Sequence, residues 1–256
     1  MVCLLMKLQV KLWVLSVAAS ALRQPTLPGS VPSSEADLHT LRRQLGQVAP
    51  AQAALGIPNE CQCRHGYPQA FAMDPMPSTG RMNSGMIKLT CPLLVRAIDT
   101  LEDEGEIARL NENVDRDENW QERVKMAHQA HASARSNLLD EAMRDLLRIR
   151  LGDDGADSFV SAGVAASSID SLDLKCLHAW LGDYLFRGNE SLGCEVAEIL
   201  RTRGVDITGT EGCKVYCDPS NSSSPSPPKP RNKQRLRSRK EIARRKRRKQ
   251  KEDDTL

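Results

Sequence analysis

Aromatic residues are scarce in this 256-residue chain, with three each of Phe, Tyr and Trp. Packing is therefore left to Leu, Ile, Val, Met and Ala, the usual material of helical proteins. No acid precedes Glu35, and the chain has no internal repeat. The apolar run Leu12 to Leu22 has eleven residues, short of the roughly 20 that a transmembrane helix needs. A fully paired disulfide framework is also excluded. There are eight Cys, irregularly spaced, and removal of Cys3 with a leader leaves an odd number. The chain is long enough to bury a core without such staples, so free or metal-bound thiols are expected.

What is present is strongly divided by charge. Residues 229–251 carry fourteen Lys/Arg and one acid, Glu241, for +13, while the remainder carries −10, together the net +3 of the chain. An acidic body with a basic tail implies two separable surfaces rather than one basic nucleic-acid-binding domain. At the other end, Lys7 and Lys11 precede the apolar run, which closes on Ala19-Ser20-Ala21. This is the order of a signal peptide, expected over residues 1–21. Residues 22–34 are Pro/Ser-rich and acid-free, as in transit peptides, so the leader points to the secretory pathway or a plastid. Arg244-Arg-Lys-Arg-Arg-Lys249 points instead to the nucleus or to a polyanion. The two sequons, Asn189-Glu-Ser191 and Asn221-Ser-Ser223, count only in the secretory lumen.

Between these ends a globular domain is expected over 35–218, followed by a disordered segment over 219–256, Ser/Pro-rich and then basic. Ser34 and Asp37 form a capping signal ahead of Leu38, Leu41 and Leu45. Residues 66–90, punctuated by Gly and Pro around Ala70–Met73 and Met86–Leu89, read as a small β-hairpin. Pro92 opens a helix with Leu94, Ile98 and Leu101 on its buried face, ending near Gly105. One long helix is expected from Asn119 to Arg150, with Trp120, Val124, Ala127, Ala134 and Leu138 on one stripe. Residues 152–171 read as a loop. Leu174 to Leu185 and residues 192–203 complete the helices. The fold class is α+β: a mostly helical single domain with a small hairpin.

Six local motifs occur in order: Cys63-Arg-His-Gly-Tyr-Pro-Gln69, Leu89-Thr-Cys-Pro92, Leu101-Glu-Asp-Glu-Gly105, Ala127-His128 with Arg135, Ser161-Ala-Gly163 and Lys175-Cys-Leu-His178. Together they resemble the chiefly bacterial family known as domain of unknown function 501, over about residues 60–200. That resemblance implies no established activity. Two positions depart from the family pattern: His131 replaces a usual Tyr, and Asp183 replaces a usual His.

Three groups of residues bear on chemistry. Cys61, Cys63, His65, Cys91 and Cys176 supply ligands for one zinc or iron ion. Within a regular helix Cys176 and His178 are about 200° apart, so both face one ion only if the helix starts after Cys176. Buried thiols acting as small hydrophobes are the competing reading. Alternatively Cys176, in a helix first turn capped by Ser171 or Asp173, is a nucleophile with His128 or His178 as its base. His128, His131 and Arg135 form one helical ridge able to hold a phosphate or carboxylate. Packing of His131 and an ion pair for Arg135 are the alternatives. Cys213 and Cys217, with Cys194 upstream, make a separate cluster.

Two functions are expected from this. One is a metal- or thiol-dependent enzyme for a small anionic substrate, using His128, Arg135, Cys176 and His178. The other is a binding module whose residues 229–251 contact nucleic acid or an acidic surface. Lacking interleaved aromatics, that tail offers phosphate contacts but no base stacking.

Overall fold

In the computed structural model, residues 24–46, 53–60, 63–77, 80–218 and 220 are described. They belong to the first of two units, Met1–Pro225 and Ser226–Leu256. The leader over 1–21, Cys61 and the basic tail lie outside the described residues.

Four short strands form one antiparallel sheet: β1 (Ser30–Pro32), β2 (Ala54–Pro58), β3 (Ala70–Met73) and β4 (Ile87–Leu89), in the order β1-β2-β3-β4. The expected hairpin is the β3–β4 pair, with Ala70 opposite Leu89 and Ala72 opposite Ile87. The other two strands are additions. β1 and the buried Leu27 precede residue 35 yet belong to the fold, and the Thr26 hydroxyl donates to the Ala134 carbonyl at 2.6 Å. Side chains alternate across a strand. Ala70 and Ala72 therefore face the main core while Phe71 packs with Leu41 of helix α1 (Glu35–Leu45) on the other side. Burial of both faces leaves β3 without the polar alternation of a solvated strand.

Helix α1 starts where its capping box places it. Ser34 Oγ accepts from the Asp37 N–H at 3.2 Å, and Asp37 Oδ2 accepts from the Ser34 N–H at 2.8 Å. On the sheet's other face lie α2 (Pro92–Asp103), α3 (Glu106–Arg116), α4 (Glu118–Leu138), α6 (Leu177–Arg187) and α7 (Gly193–Thr202). Helix α3, unforeseen, buries Leu110 and Val114 on an otherwise charged cylinder.

The single helix expected over 119–150 is two. Leu139 and Asp140 are extended, and Asp140 caps α5 (Glu141–Val160) by accepting from the Met143 N–H at 2.9 Å. Arg144 folds back, donating to the carbonyls of Ser136 at 2.8 Å and Leu139 at 3.1 Å, and so satisfies groups freed at the end of α4. Residues 152–160, read as loop, continue α5 past a kink at Gly152. Leu147, Ala156 and Phe159 account for it, because they bury a small second core with Met76 and Leu139.

Candidate functional site

The six motifs collapse in space into three pairs. Cys63–Gln69 meets Leu89–Pro92 through the Gln69 carbonyl, which accepts from the N–H groups of Thr90 at 2.8 Å and Cys91 at 3.0 Å. The His128–Arg135 stretch of α4 meets Ser161–Gly163. Leu101–Gly105, at the end of α2, meets Lys175–His178, at the start of α6.

The third pair holds the most reactive side chains. Cys176 is extended (φ −155°, ψ 113°), so α6 begins after it at Leu177. The 200° separation of a regular helix does not apply, and Cys176 and His178 turn to the same side. His178 Nδ1 stands 3.2 Å from Glu102 Oε1 and 3.8 Å from Cys176 Sγ. His178 Nε2 is 3.6 Å from Asp99 Oδ1. The Leu177 N–H donates to Glu102 Oε1 at 2.8 Å, so the carboxylate also satisfies an orphan donor of the helix start. The caps expected from Ser171 or Asp173 are not used, since Ser171 Oγ accepts from the Asp173 N–H instead.

Glu102, Cys176 and His178 place one ligand atom each within 4.8 Å of the others. All three are partly exposed, and among the described residues they are the one such group of three or more. Burial opposes the charge on His178, but Cys176 and Glu102 outweigh it and raise its pKa to about 10. Burial likewise pushes Glu102 up, and its contacts with His178, Leu177 and Cys176 bring it below the usual value. Sulfur, imidazole and carboxylate, the three donor types of zinc sites, meet here at an accessible point. Neither Glu102 nor Asp99 was among the expected site residues, although Glu102 lies within a quoted motif.

His128, His131 and Arg135 do share one ridge, and all three are buried. Among the described residues no hydrogen bond joins His128 or Arg135 to Cys176. His128 Nδ1 accepts from the Val164 N–H at 3.1 Å, which puts its proton on Nε2. Burial, followed by the neighbouring His131, lowers its pKa to about 4. Among the described residues no carboxylate pairs with Arg135. Its guanidinium donates to the carbonyls of Ala162 and of Ser84, the latter at 2.5 Å, and lies over the Phe159 ring at 5.6 Å. Burial lowers its pKa to about 10. Together His128 and Arg135 clamp a turn in which Ala165 and Ala166 take left-handed backbone (φ 54° and 55°). A Cβ on Gly163 would stand 2.6 Å from the His128 ring, so the close approach requires glycine there.

The two departures from the family pattern touch each other. His131 Nε2 lies 2.8 Å from Asp183 Oδ1, and Arg187 grips the same carboxylate at 2.9 and 2.8 Å.

The five expected metal ligands divide. Cys91 precedes the first residue of α2 and Cys176 packs at its far end, eleven residues and about 16 Å of helix axis away. Those two thiols cannot share an ion. Cys63 and Cys91 are buried, and His65 is bonded at Nε2 to the Thr210 carbonyl at 2.9 Å. Cys194 stands apart from Cys213 and Cys217 in its bonding, accepting from Arg123 at 2.8 Å.

The chain matches a family described as "Protein of unknown function (DUF501)" over residues 59–198, more than half of its length. No curated protein and no solved structure matches it.

Proposed function

We propose, for a chain that belongs to the DUF501 family, a metal-dependent enzymatic site acting on a small anionic substrate. Glu102, Cys176 and His178 would be the protein ligands. The convergence of their three donor atoms within 4.8 Å at a partly exposed helix start carries this reading.

Three protein ligands leave a coordination position for water or substrate, the arrangement catalytic zinc sites use. Asp99 would orient His178 through Nε2, as outer carboxylates do for metal-bound imidazoles. Without an ion, Asp99 and Glu102 repel an anion. A bound dication would offset those carboxylates and present an open position to an anionic oxygen. Ligation requires neutral imidazole and thiolate, so binding releases protons that the free site holds. His128 and Arg135 enter this reading as structural residues that hold the 161–167 turn against α4.

Elemental analysis of protein purified without chelators tests it. Cys176→Ser and Glu102→Gln should each lose one equivalent of zinc-class metal relative to the parent chain. Unchanged metal content in both variants rejects the site.

A second reading rests on Cys176 standing at the N-terminus of α6 beside an imidazole whose other nitrogen faces Asp99. That order of thiol, imidazole and carboxylate suits a nucleophile. Metal-free protein should then be alkylated by iodoacetamide faster at Cys176 than at Cys194, and His178→Ala should remove the difference.

A further inference from the structure

Four of the cysteines outside this site converge from three separate chain segments. Cys63 lies in the turn after β2, Cys91 at the head of α2, and Cys213 and Cys217 at the 3-10 turn Glu211–Tyr216. The segments are tied together by hydrogen bonds. Gln69 Nε2 donates to the Ile207 carbonyl at 2.7 Å, while the Gln69 main-chain carbonyl accepts from the Cys91 N–H at 3.0 Å. The Arg64 N–H donates to the Thr208 carbonyl at 2.8 Å. Gly209, at φ +95°, lies between two of the thiols. A Cβ there would stand 3.0 Å from Cys213 Sγ and 3.9 Å from Cys63 Cβ.

All four thiols are buried, and none is in a disulfide. The Gln44 side chain joins Cys217 Sγ to the carbonyl of Pro68, the neighbour of Gln69, and so sets Cys217 beside the segment that holds Cys91. Groups suited to the outer shell are in place as well. Gln44 Nε2 donates to Cys217 Sγ at 3.2 Å and to the Pro68 carbonyl at 2.9 Å. Arg43 donates to the Val215 carbonyl at 3.3 Å and keeps a buried Nε with no partner.

We propose that Cys63, Cys91, Cys213 and Cys217 form a tetrathiolate site for a soft divalent cation of the zinc class, separate from the Glu102–Cys176–His178 cluster. Its role is structural: four thiolates leave no open position for substrate. Among the described residues no three of these sulfurs stand within 4.8 Å of one another. Coordination therefore requires the ion to draw the sulfurs inward by side-chain rotation about χ1. Binding releases the four thiol protons to solvent and leaves a complex of net charge −2, with Arg43 beside it as counter-charge. Two of the ligands lie beyond residue 198, so the C-terminal segment completes a site that the family-matched span only begins.

Cobalt titration of the full-length, metal-stripped chain tests this. Thiolate-to-cobalt charge-transfer absorption should saturate with a tetrahedral visible spectrum. It should persist in Cys176→Ser, where the other proposed site has lost its thiolate, and in that background be lost on adding either Cys213→Ser or Cys217→Ser. Cys217→His should restore binding with a blue-shifted spectrum, because imidazole replaces the thiolate as ligand and a merely structural loss would not be rescued. As a readout independent of folding in the variants, a chelator added to zinc-loaded parent protein should speed alkylation of peptides bearing residues 63, 91, 213 and 217. Charge-transfer absorption abolished by Cys176→Ser but kept in Cys217→Ser overturns the assignment, as does chelator-independent alkylation of those peptides. Failure of the Glu102–Cys176–His178 reading leaves these outcomes unaffected.

Discussion

Asp183 and Arg135 are both buried charges, stabilised in different ways. Asp183 has two hydrogen-bonded partners, His131 and Arg187, while Arg135 relies on carbonyl oxygens and an aromatic face. Burial pushes the Asp183 pKa up, but His131 and Arg187 outweigh it and hold the carboxyl well below the usual range. Its stabilisation is therefore present above the ordinary Asp pKa and lost only as pH falls through that depressed value. Asp183→Ala, which leaves Arg187 buried and uncompensated, should cost about 3–5 kcal/mol in urea unfolding at neutral pH. His128 acts in the same direction, but in milder acid. Its folded pKa of about 4 lies below the ordinary 6.5, so the unfolded chain binds the extra proton between those values. Stability should fall as pH drops through that window. His128→Asn keeps an acceptor for the Val164 N–H while removing the titration. Unfolding free energies at pH 7 and pH 5 should differ less in this variant than in the parent.

At the scale of elements, junctions between helices determine where side chains go. The break at Leu139–Asp140 turns α5 back so that Phe159 reaches Arg135, and a straight helix to Arg150 could not do this. Two substitutions probe such junctions. Asp140→Ala removes the N-cap of α5 and should cost about 1 kcal/mol by thermal or urea unfolding. Gly163→Ala drives a methyl into the His128 ring and should cost about 1–3 kcal/mol, as overpacked positions do. Equal stability of Gly163→Ala and the parent would mean that the 161–167 turn yields freely and is not clamped. The start of α6 shows the same principle on the reactive side. Leaving Cys176 extended lets two residues two positions apart share a direction that helical geometry denies them.

Across the whole molecule, the acidic body and the basic residues 229–251 remain candidates for separate tasks, and the tail is proposed as a polyanion contact. Neutralisation of phosphates makes such affinity fall steeply with salt and depend little on base sequence. Deleting residues 229–256 should abolish filter binding to nucleic acid at low salt while leaving the unfolding midpoint unchanged. Retained affinity would move the contact to the body. No helix among the described residues is long and apolar enough to cross a membrane. The helical character, the Ser34 cap, the β3–β4 hairpin and the family were all legible in the sequence, because propensity, capping and apolar period are local properties. So were most of the reactive residues, as types. Their grouping was not. By sequence Cys176 reads as a ligand with Cys63 and Cys91 or as a nucleophile with His128 or His178, and Glu102 is not among the candidates. Sequence order carries no distance between residues 102 and 178 or between 63 and 217. Those distances are set by how α2 lies against α6 and where the C-terminal turn docks, and only tertiary packing decides that.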